Sequence, residues 1–271
     1  MAKSIPSTIK LASGYEIPRL GFGVYQTPPE DAERCCLEAF KAGYRHIDSA
    51  SGYKNEAGCG SAILKSGLPR SEIFFTSKVL KINYNDAKAT VDKTLSETKL
   101  DYIDLMLLHQ PYGGSEGRKG AWKALVEAVE AGKVRSIGVS NYGVHHLNEL
   151  EQHIINQVEV HPWLARRDIV DWCHARGVFV EAYCPIVRGA RFDEPVLQKL
   201  AKKYGKEPAQ VLIRWSIDKG HIPLPKSVTS SRIISNAQVY DFALTEEEVQ
   251  ELETDEYSPV AWDPTVAKLE E

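Results

Sequence analysis

Short apolar stretches alternate with longer polar segments along the 271 residues, and in the longer ones apolar side chains recur every three or four positions. The short stretches have strand length, while the longer ones carry the helical period. Strand candidates fall at residues 21–24, 45–48, 73–78, 103–109, 136–140, 157–160, 178–183 and 222–225. Helical patterns lie between most of them, for example at 30–42, 87–97, 121–131 and 165–176. Apolar strands flanked by helices need cover on both faces, which selects a parallel sheet with right-handed crossovers. Eight such units favour closure, so the expected fold is α/β, a (β/α)8 TIM barrel.

Some segments fall outside the eightfold alternation. Residues 9–18 alternate around Ser13-Gly14 and predict a β-hairpin ahead of the barrel, placed to plug its floor. Pro208 suits the first turn of a helix reaching about Lys219, inserted before the eighth strand. Thr245 with Glu248 three residues on makes a capping-box start. Both read as extra helices near the C-terminus. An open doubly wound sheet is the weaker alternative, because Gly21-Phe22-Gly23 and Gly58-Cys59-Gly60 lack the third glycine of a phosphate-cradling turn.

No Pro/Gly/Ser-rich linker or charge block divides the chain, so residues 1–271 read as a single domain of ordinary barrel size. A net charge of −4 argues against nucleic acid as the main partner. Residues 1–6 lack the apolar core of a signal peptide, and nothing approaches the roughly 18 apolar residues of a membrane span. The expectation is therefore a soluble, cytoplasmic protein without a membrane partner. The five cysteines, Cys35, Cys36, Cys59, Cys173 and Cys184, have no ligand spacing and read as reduced thiols. Cys35 and Cys36 lie in a helical pattern, which predicts that one packs inward and the other is a small surface thiol. His161 and Glu159 have no second ligand pair, so no metal is expected and His161 reads as structural.

Four titratable residues stand out by position. Asp48, Lys78 and His109 close the second, third and fourth strand candidates, and Tyr53 follows the second. In a parallel barrel the carboxyl ends of successive strands converge on one mouth, so a carboxylate, a phenol, an ammonium and an imidazole would form a proton-transfer site. A lone strand-end Asp is commonly a helix cap, but capping does not account for four such groups on consecutive units. A tyrosine with a reference pKa near 10 needs a nearby cation to act readily at neutral pH. Lys78 is the natural cation, and Asp48 would hold it.

The motifs around these residues are Gly43-Tyr44-Arg45-His46-Ile47-Asp48, Tyr53-Lys54-Asn55-Glu56, Thr76-Ser77-Lys78 and Leu107-Leu108-His109. With Gly138-Val139-Ser140-Asn141-Tyr142, Asn156-Gln157-Val158-Glu159-Val160-His161-Pro162 and Ile222-Pro223-Leu224-Pro225-Lys226-Ser227, they resemble the signatures of the aldo-keto reductases over nearly the whole chain. The likeness is to the short, monomeric type similar to 2,5-diketo-gluconate reductases. It implies NADPH-dependent reduction of an aldehyde or ketone, with Tyr53 as general acid, Lys78 and Asp48 tuning it, and His109 orienting the substrate oxygen. It further implies that Ser140, Asn141 and Gln157 hold the nicotinamide carboxamide and that Tyr183 stacks on the ring. Lys226, Ser227 and Arg232 would take the 2′-phosphate and Asn236 the adenine. A loop with two cations ahead of a helix N-terminus also suits an anion in its own right. Thr229 stands where some relatives carry another arginine, which lowers the expected discrimination against NADH.

For the substrate side, the resemblance aligns Tyr25, Leu80 and Gln110 with frequent tryptophans of the family. This predicts a wider, more polar mouth suited to polar or bulky carbonyls, unless Tyr112, Tyr142 or Trp262 fills it. Two other readings compete. A nicotinamide-binding regulatory protein on the same fold would show little turnover, and a hydrolytic or isomerising barrel would turn over without cofactor.

Overall fold

The computed structural model describes residues 7–150 and 155–271, and residues 1–6 lie outside the described part. A hairpin of β1 (Thr8–Lys10) and β2 (Glu16–Pro18) precedes eight parallel strands. These are β3 (Phe22–Gly23), β4 (His46–Asp48), β5 (Phe74–Val79), β6 (Ile103–Leu108), β7 (Val134–Ser140), β8 (Ile155–Glu159), β9 (Phe179–Tyr183) and β10 (Ile222–Pro223), neighbours in space in that order. The crossovers carry α1 (Pro29–Lys41), α2 (Glu56–Lys65), α3 (Tyr84–Thr98), α4 (Gly114–Glu130), α5 (Val144–Leu147) and α6 (Arg167–His174). Two helices, α7 (Pro195–Tyr204) and α8 (Pro208–Asp218), fill the last crossover, and α9 (Ser230–Ala237) and α10 (Glu246–Leu252) follow β10.

The barrel closes between its first and last strands. Gly21 donates its N–H to the Pro223 carbonyl at 3.1 Å, and Gly23 donates to the Pro225 carbonyl at 3.0 Å. That approach requires glycine, since a Cβ on Gly21 would lie 2.5 Å from Leu224 Cδ2 and 2.7 Å from His46 Nδ1. The hairpin plugs the floor as its alternation predicts: Ile9, Leu11 and Ile17 pack on Phe74, Leu105, Leu107, Ile155 and Ile222 in an apolar cluster separate from the main core. Phe74, Ile155 and Ile222 open their strands, so the cluster lies at the amino-terminal end of the barrel. The larger core fills the layer between the outer faces of the strands and the helices.

Two expectations change, and one helix appears that the sequence reading did not include. The inserted helix is α7 rather than the one beginning at Pro208: α8 packs on β10 with Val211, Leu212, Ile213 and Trp215 all buried, whereas α7 buries one face against α8. The pair Gly58 and Gly60 lies inside α2, a helix the sequence did not announce because glycine is a poor helix former. Cys35 and Cys36 are both fully buried, so neither is a surface thiol. Helix α1 is flanked by α2 on one side and α9 on the other, which removes the free face the sequence suggested. All five cysteines are free thiols, with Cys36 and Cys59 sulfurs 3.9 Å apart. No helix among the described residues is long and apolar enough to cross a membrane.

Gly60 gives a test of the α2–α3 contact. An added Cβ would sit 2.3 Å from the Thr98 carbonyl oxygen and 2.4 Å from its Cα, both backbone atoms that cannot swing away. Helix propensity alone favours Gly60→Ala by about 1 kcal/mol, whereas overpacking costs about 1–3 kcal/mol. The variant is expected to be less stable in denaturant unfolding, and a gain in stability would contradict this packing.

Candidate active site

Side chains two residues apart on each strand point into the barrel and build a ladder from floor to mouth. On β4 these are His46 and Asp48, on β5 Thr76 and Lys78, and on β9 Glu181 and Tyr183; His109 follows the end of β6. The hydrogen bonds between rungs bear this out, with His46 Nε2 2.9 Å from Thr76 Oγ1.

Lys78 is fully buried. Its ammonium donates to Asp48 Oδ1 at 2.7 Å, Asp48 Oδ2 at 2.8 Å and the Ser49 carbonyl at 2.7 Å, which uses all three of its hydrogens. Tyr53 ends a short 3-10 turn, Ser51–Tyr53, pinned by the Ser51 hydroxyl donating to the Lys78 carbonyl at 2.8 Å. The next residues of that motif hold the loop in place. The Asn55 amide donates to the Val24 and Thr27 carbonyls, and the Glu56 carboxylate accepts from Ser77 and Thr94. The Tyr53 ring lies 5.1 Å from the Lys78 ammonium, 5.0 Å from the Tyr25 ring and 5.7 Å from His109, which meets it edge-on.

Burial, and then the charge of Asp48, hold the Tyr53 phenol well above its ordinary range. Lys78 was expected to lower it. Burial in a low dielectric and the nearby Asp48 carboxylate outweigh the cation. Tyr53 is therefore a protonated donor at neutral pH. Burial and then the Lys78 charge bring His109 down to about 3, leaving a neutral imidazole with one N–H to give. Its Nδ1 is buried without a hydrogen-bond partner.

Opposite these groups, Ser140 Oγ donates to the Gln157 carbonyl at 2.9 Å, and the Asn141 amide donates to the His109 carbonyl at 3.0 Å. Tyr183 fixes its ring by donating its hydroxyl to Asn141 Oδ1 at 2.8 Å. Asn141 adopts φ 63°, a left-handed conformation that asparagine tolerates better than most residues. The Gln157 amide nitrogen lies 2.9 Å from Asp48 Oδ2 and 2.9 Å from Glu181 Oε2. Glu181 is a buried carboxyl that burial, followed by the charge of Asp48, pushes up to about 8. Its other oxygen is 3.6 Å from His46 Nε2, on an imidazole that burial and Lys78 hold near 3.

A cavity of about 510 Å3 opens above this constellation. Asp48, Tyr53, His109, Ser140, Asn141, Gln157, Tyr183 and Lys226 line it, with Tyr25 and Leu80 on the open side, while Lys78 lies beneath. An aromatic face with amide groups along one edge and an unpartnered imidazole across from it fits a flat ring that carries a carboxamide. Ser227, Arg232 and Asn236 lie off this cavity, on the loop after β10 and on α9. Lys226 reaches the Gln26 carbonyl at 3.3 Å, and the Thr229 N–H donates to Ser227 Oγ at 3.0 Å. Gln110 does not line the cavity, because its amide donates to the Leu80 carbonyl at 2.8 Å. The rim is apolar instead: Trp262 lines it, backed by Tyr112 in a stacked contact at 6.1 Å, while Tyr142 is buried in the core.

Sequence reading missed what holds Trp262. Glu159 at the end of β8 accepts from the Val260 N–H at 2.7 Å and the Ala261 N–H at 3.1 Å, and His161 Nε2 lies 3.1 Å from the same carboxylate. Arg166 pairs with Asp263 at 2.9 Å and donates to Thr265 Oγ1 at 2.8 Å. The chain is thus fastened on both sides of Trp262. It also missed the turn after β9, where Cys184, Val187 and Arg188 adopt φ 49°, 45° and 54°. Such conformations are uncommon outside glycine and costly for a β-branched valine, and Cys184 and Arg188 of this turn line the cavity. Glu181 was hidden inside a strand pattern, although its position two residues before Tyr183 is a signal for an inward carboxyl.

The titrations separate by pH. A carboxyl at about 8 that stands near 4.3 when unfolded keeps its proton better in the folded state, so its contribution to stability is lost as pH rises towards 8. His46 and His109 sit near 3, below the unfolded value of about 6.5, so their contribution is lost as pH falls below about 6.5. Of these three groups, only Glu181, which faces Asp48, Lys78 and His46, titrates between about 6.5 and 8. The thermal midpoint is expected to fall from pH 6.5 to pH 8.5, and Glu181→Gln to flatten that fall. An unchanged slope in the variant would assign the titration to another group.

Known proteins are similar to this chain in sequence and in fold. The model of the aldo/keto reductase family matches residues 19–255. Glyoxal reductase of Bacillus subtilis is 40% identical over 261 residues, 93% of this chain and 94% of its own. Methylglyoxal reductase DkgA of Escherichia coli K12 is 39% identical over 254 residues, covering 91% of this chain and 92% of its own. An aldo-keto reductase of Bombyx mori, solved in complex with NADP, superposes with a TM-score of 0.88 at 31% identity and covers 96% of each chain. A closed eight-stranded barrel with a plugged floor, the motifs at its strand ends and a match across most of its length have one reading: this chain belongs to the aldo/keto reductase family of carbonyl-reducing oxidoreductases.

Proposed function

We propose that this protein reduces aldehydes and ketones to alcohols with NADPH, and that Tyr53 delivers the proton. The observation that carries this reading is the Tyr53 ring 5.7 Å from the His109 imidazole, both lining the cavity, above the buried Lys78–Asp48 pair. The nicotinamide, when bound, supplies the hydride that no protein side chain can give. Tyr53 and His109 donate to the substrate oxygen, and those bonds strengthen as the oxygen gains negative charge. The Tyr53 proton then passes to that oxygen, and the adjacent Lys78 ammonium stabilises the phenolate left behind. Ser140, Asn141 and Gln157 hold the carboxamide, and Tyr183 sets which ring face is presented. Lys226, Ser227 and Arg232 bind the 2′-phosphate and Asn236 the adenine, as the motif resemblance implies; the NADP complex of the Bombyx mori protein supports a nicotinamide dinucleotide as cofactor. The substrates are small 2-oxoaldehydes such as methylglyoxal. The names of the bacterial relatives support this class. A monomer as the working unit follows from the resemblance to the short, monomeric type.

The proton donor is tested by Tyr53→Phe, which keeps the packing and removes the acid. Turnover of methylglyoxal, followed by NADPH absorbance, is expected to drop at least ~100-fold, the usual scale of general acid catalysis, with NADPH binding retained. Activity within a few-fold of the parent would remove Tyr53 from this role.

The cofactor reading is tested by replacing Lys226 and Arg232 together with alanine. Charge-assisted hydrogen bonds contribute about 1.5–3 kcal/mol each. Fluorescence titration is expected to show NADPH weakened at least ~10-fold more than NADH. Equal weakening of the two would mean that these cations serve the rest of the dinucleotide or the fold.

A further inference from the structure

We propose that Glu181 is a positioning residue for the nicotinamide, fixing the Gln157 amide with its oxygen facing the cavity. The inference rests on the cofactor reading above. A primary amide nitrogen has two hydrogens, and on Gln157 these meet Asp48 Oδ2 and Glu181 Oε2, each at 2.9 Å. With the Glu181 proton on Oε1, the oxygen that faces His46, turning the amide over would set its oxygen against Asp48 Oδ2 and Glu181 Oε2, lone pair against lone pair, with both hydrogens facing away. The two acceptors therefore select one orientation and leave the carbonyl oxygen as the atom that Gln157 presents at the cavity wall. An acceptor at that place matches the NH2 of a carboxamide and mismatches its C=O.

Glu181 does not line the cavity and acts only through Gln157. It is well held for the task. It is fully buried in the middle of β9, in register with Gln157 on β8 and Ile222 on β10, and its second oxygen faces His46, which is itself hydrogen-bonded to Thr76. Without Glu181, Asp48 would secure one hydrogen only, and the amide could rotate away from the orientation a carboxamide needs. The bond from Gln157 to Asp48 also ties this orientation to the pair that holds Lys78, so the ring and the proton donor share one support.

Binding is the readout, with NADPH and adenosine 2′,5′-bisphosphate, which lacks the nicotinamide, titrated by protein fluorescence. Glu181→Leu removes the acceptor. It is expected to weaken NADPH ~10-fold and to leave the bisphosphate within twofold of the parent, as a neutral hydrogen bond of about 1–1.5 kcal/mol requires. Glu181→Gln keeps an acceptor oxygen and is expected to restore NADPH affinity to within about threefold. NADPH affinity unchanged in the leucine variant, equal loss of both ligands, or no rescue by glutamine would each overturn the proposal. A measurement on the parent protein keeps the test open should the leucine variant fail to fold. Both side-chain amide protons of Gln157, identified by their loss in Gln157→Met, are expected to exchange slowly by NMR, and a single protected proton would overturn the idea. A parent that binds no NADPH would instead sink the cofactor reading, whereas a parent that binds it alongside indistinguishable variants sinks this inference alone.

Discussion

The buried Lys78–Asp48 ion pair is the interaction on which the rest of the site depends. Taking two charges out of water costs several kcal/mol each, and breaking such a pair leaves an uncompensated charge worth about 3–5 kcal/mol. The structure meets that cost with complete hydrogen bonding: three donors on Lys78, each with an acceptor, and an Asp48 carboxylate that also accepts from Gln157. Once the pair is fixed, its neighbours have little choice. Tyr53 remains a phenol because it is buried close to the Asp48 charge, and His109 remains neutral because it is buried next to the cation. Glu181 holds its proton because it is buried, and because a second carboxylate charge close to Asp48 is unfavourable.

That pair can exist only inside a closed scaffold. The hydrogen bonds from Gly21 and Gly23 remove the open sheet edge, and the hairpin residues Ile9, Leu11 and Ile17 seal the floor. Water is thereby kept from one end of the barrel, and the ionic groups are stacked at the other, where the strands' carboxyl ends meet the cavity. The rim is set by a different device. The segment carrying Trp262 is fastened by Glu159 and Arg166, two buried charged residues whose partners lie about a hundred positions along the chain. The groups around the Lys78–Asp48 pair belong to the barrel, whereas the Trp262 rim belongs to a strap laid over it.

Much of this was legible from sequence because period two and period 3.6 are local properties. The strand ends at Asp48, Lys78 and His109, the hairpin, and the capping box at Thr245 all follow from patterns a few residues long. The helix α2 was not legible. Gly58 and Gly60 argue against a helix by propensity, and only the approach of Ala32 and the Thr98 backbone shows why glycine is required there. The same holds for Cys35 and Cys36, where helical spacing predicts one exposed thiol but two flanking helices bury both.

Sequence by itself determined the strand order, the closure into a barrel and the four groups that gather at its mouth, because these follow from local periodicity and from which strand end each residue occupies. Tertiary structure alone decided the electrostatic sense of the site. Whether Lys78 lowers the Tyr53 pKa depends on where Asp48 places its two oxygens and on how much water is excluded, and neither is a property of any short segment. It likewise decided that Gln110 turns to the Leu80 carbonyl while Trp262 forms the rim. A side chain's direction is settled by competition among partners distant in sequence, and only the folded chain brings those partners together.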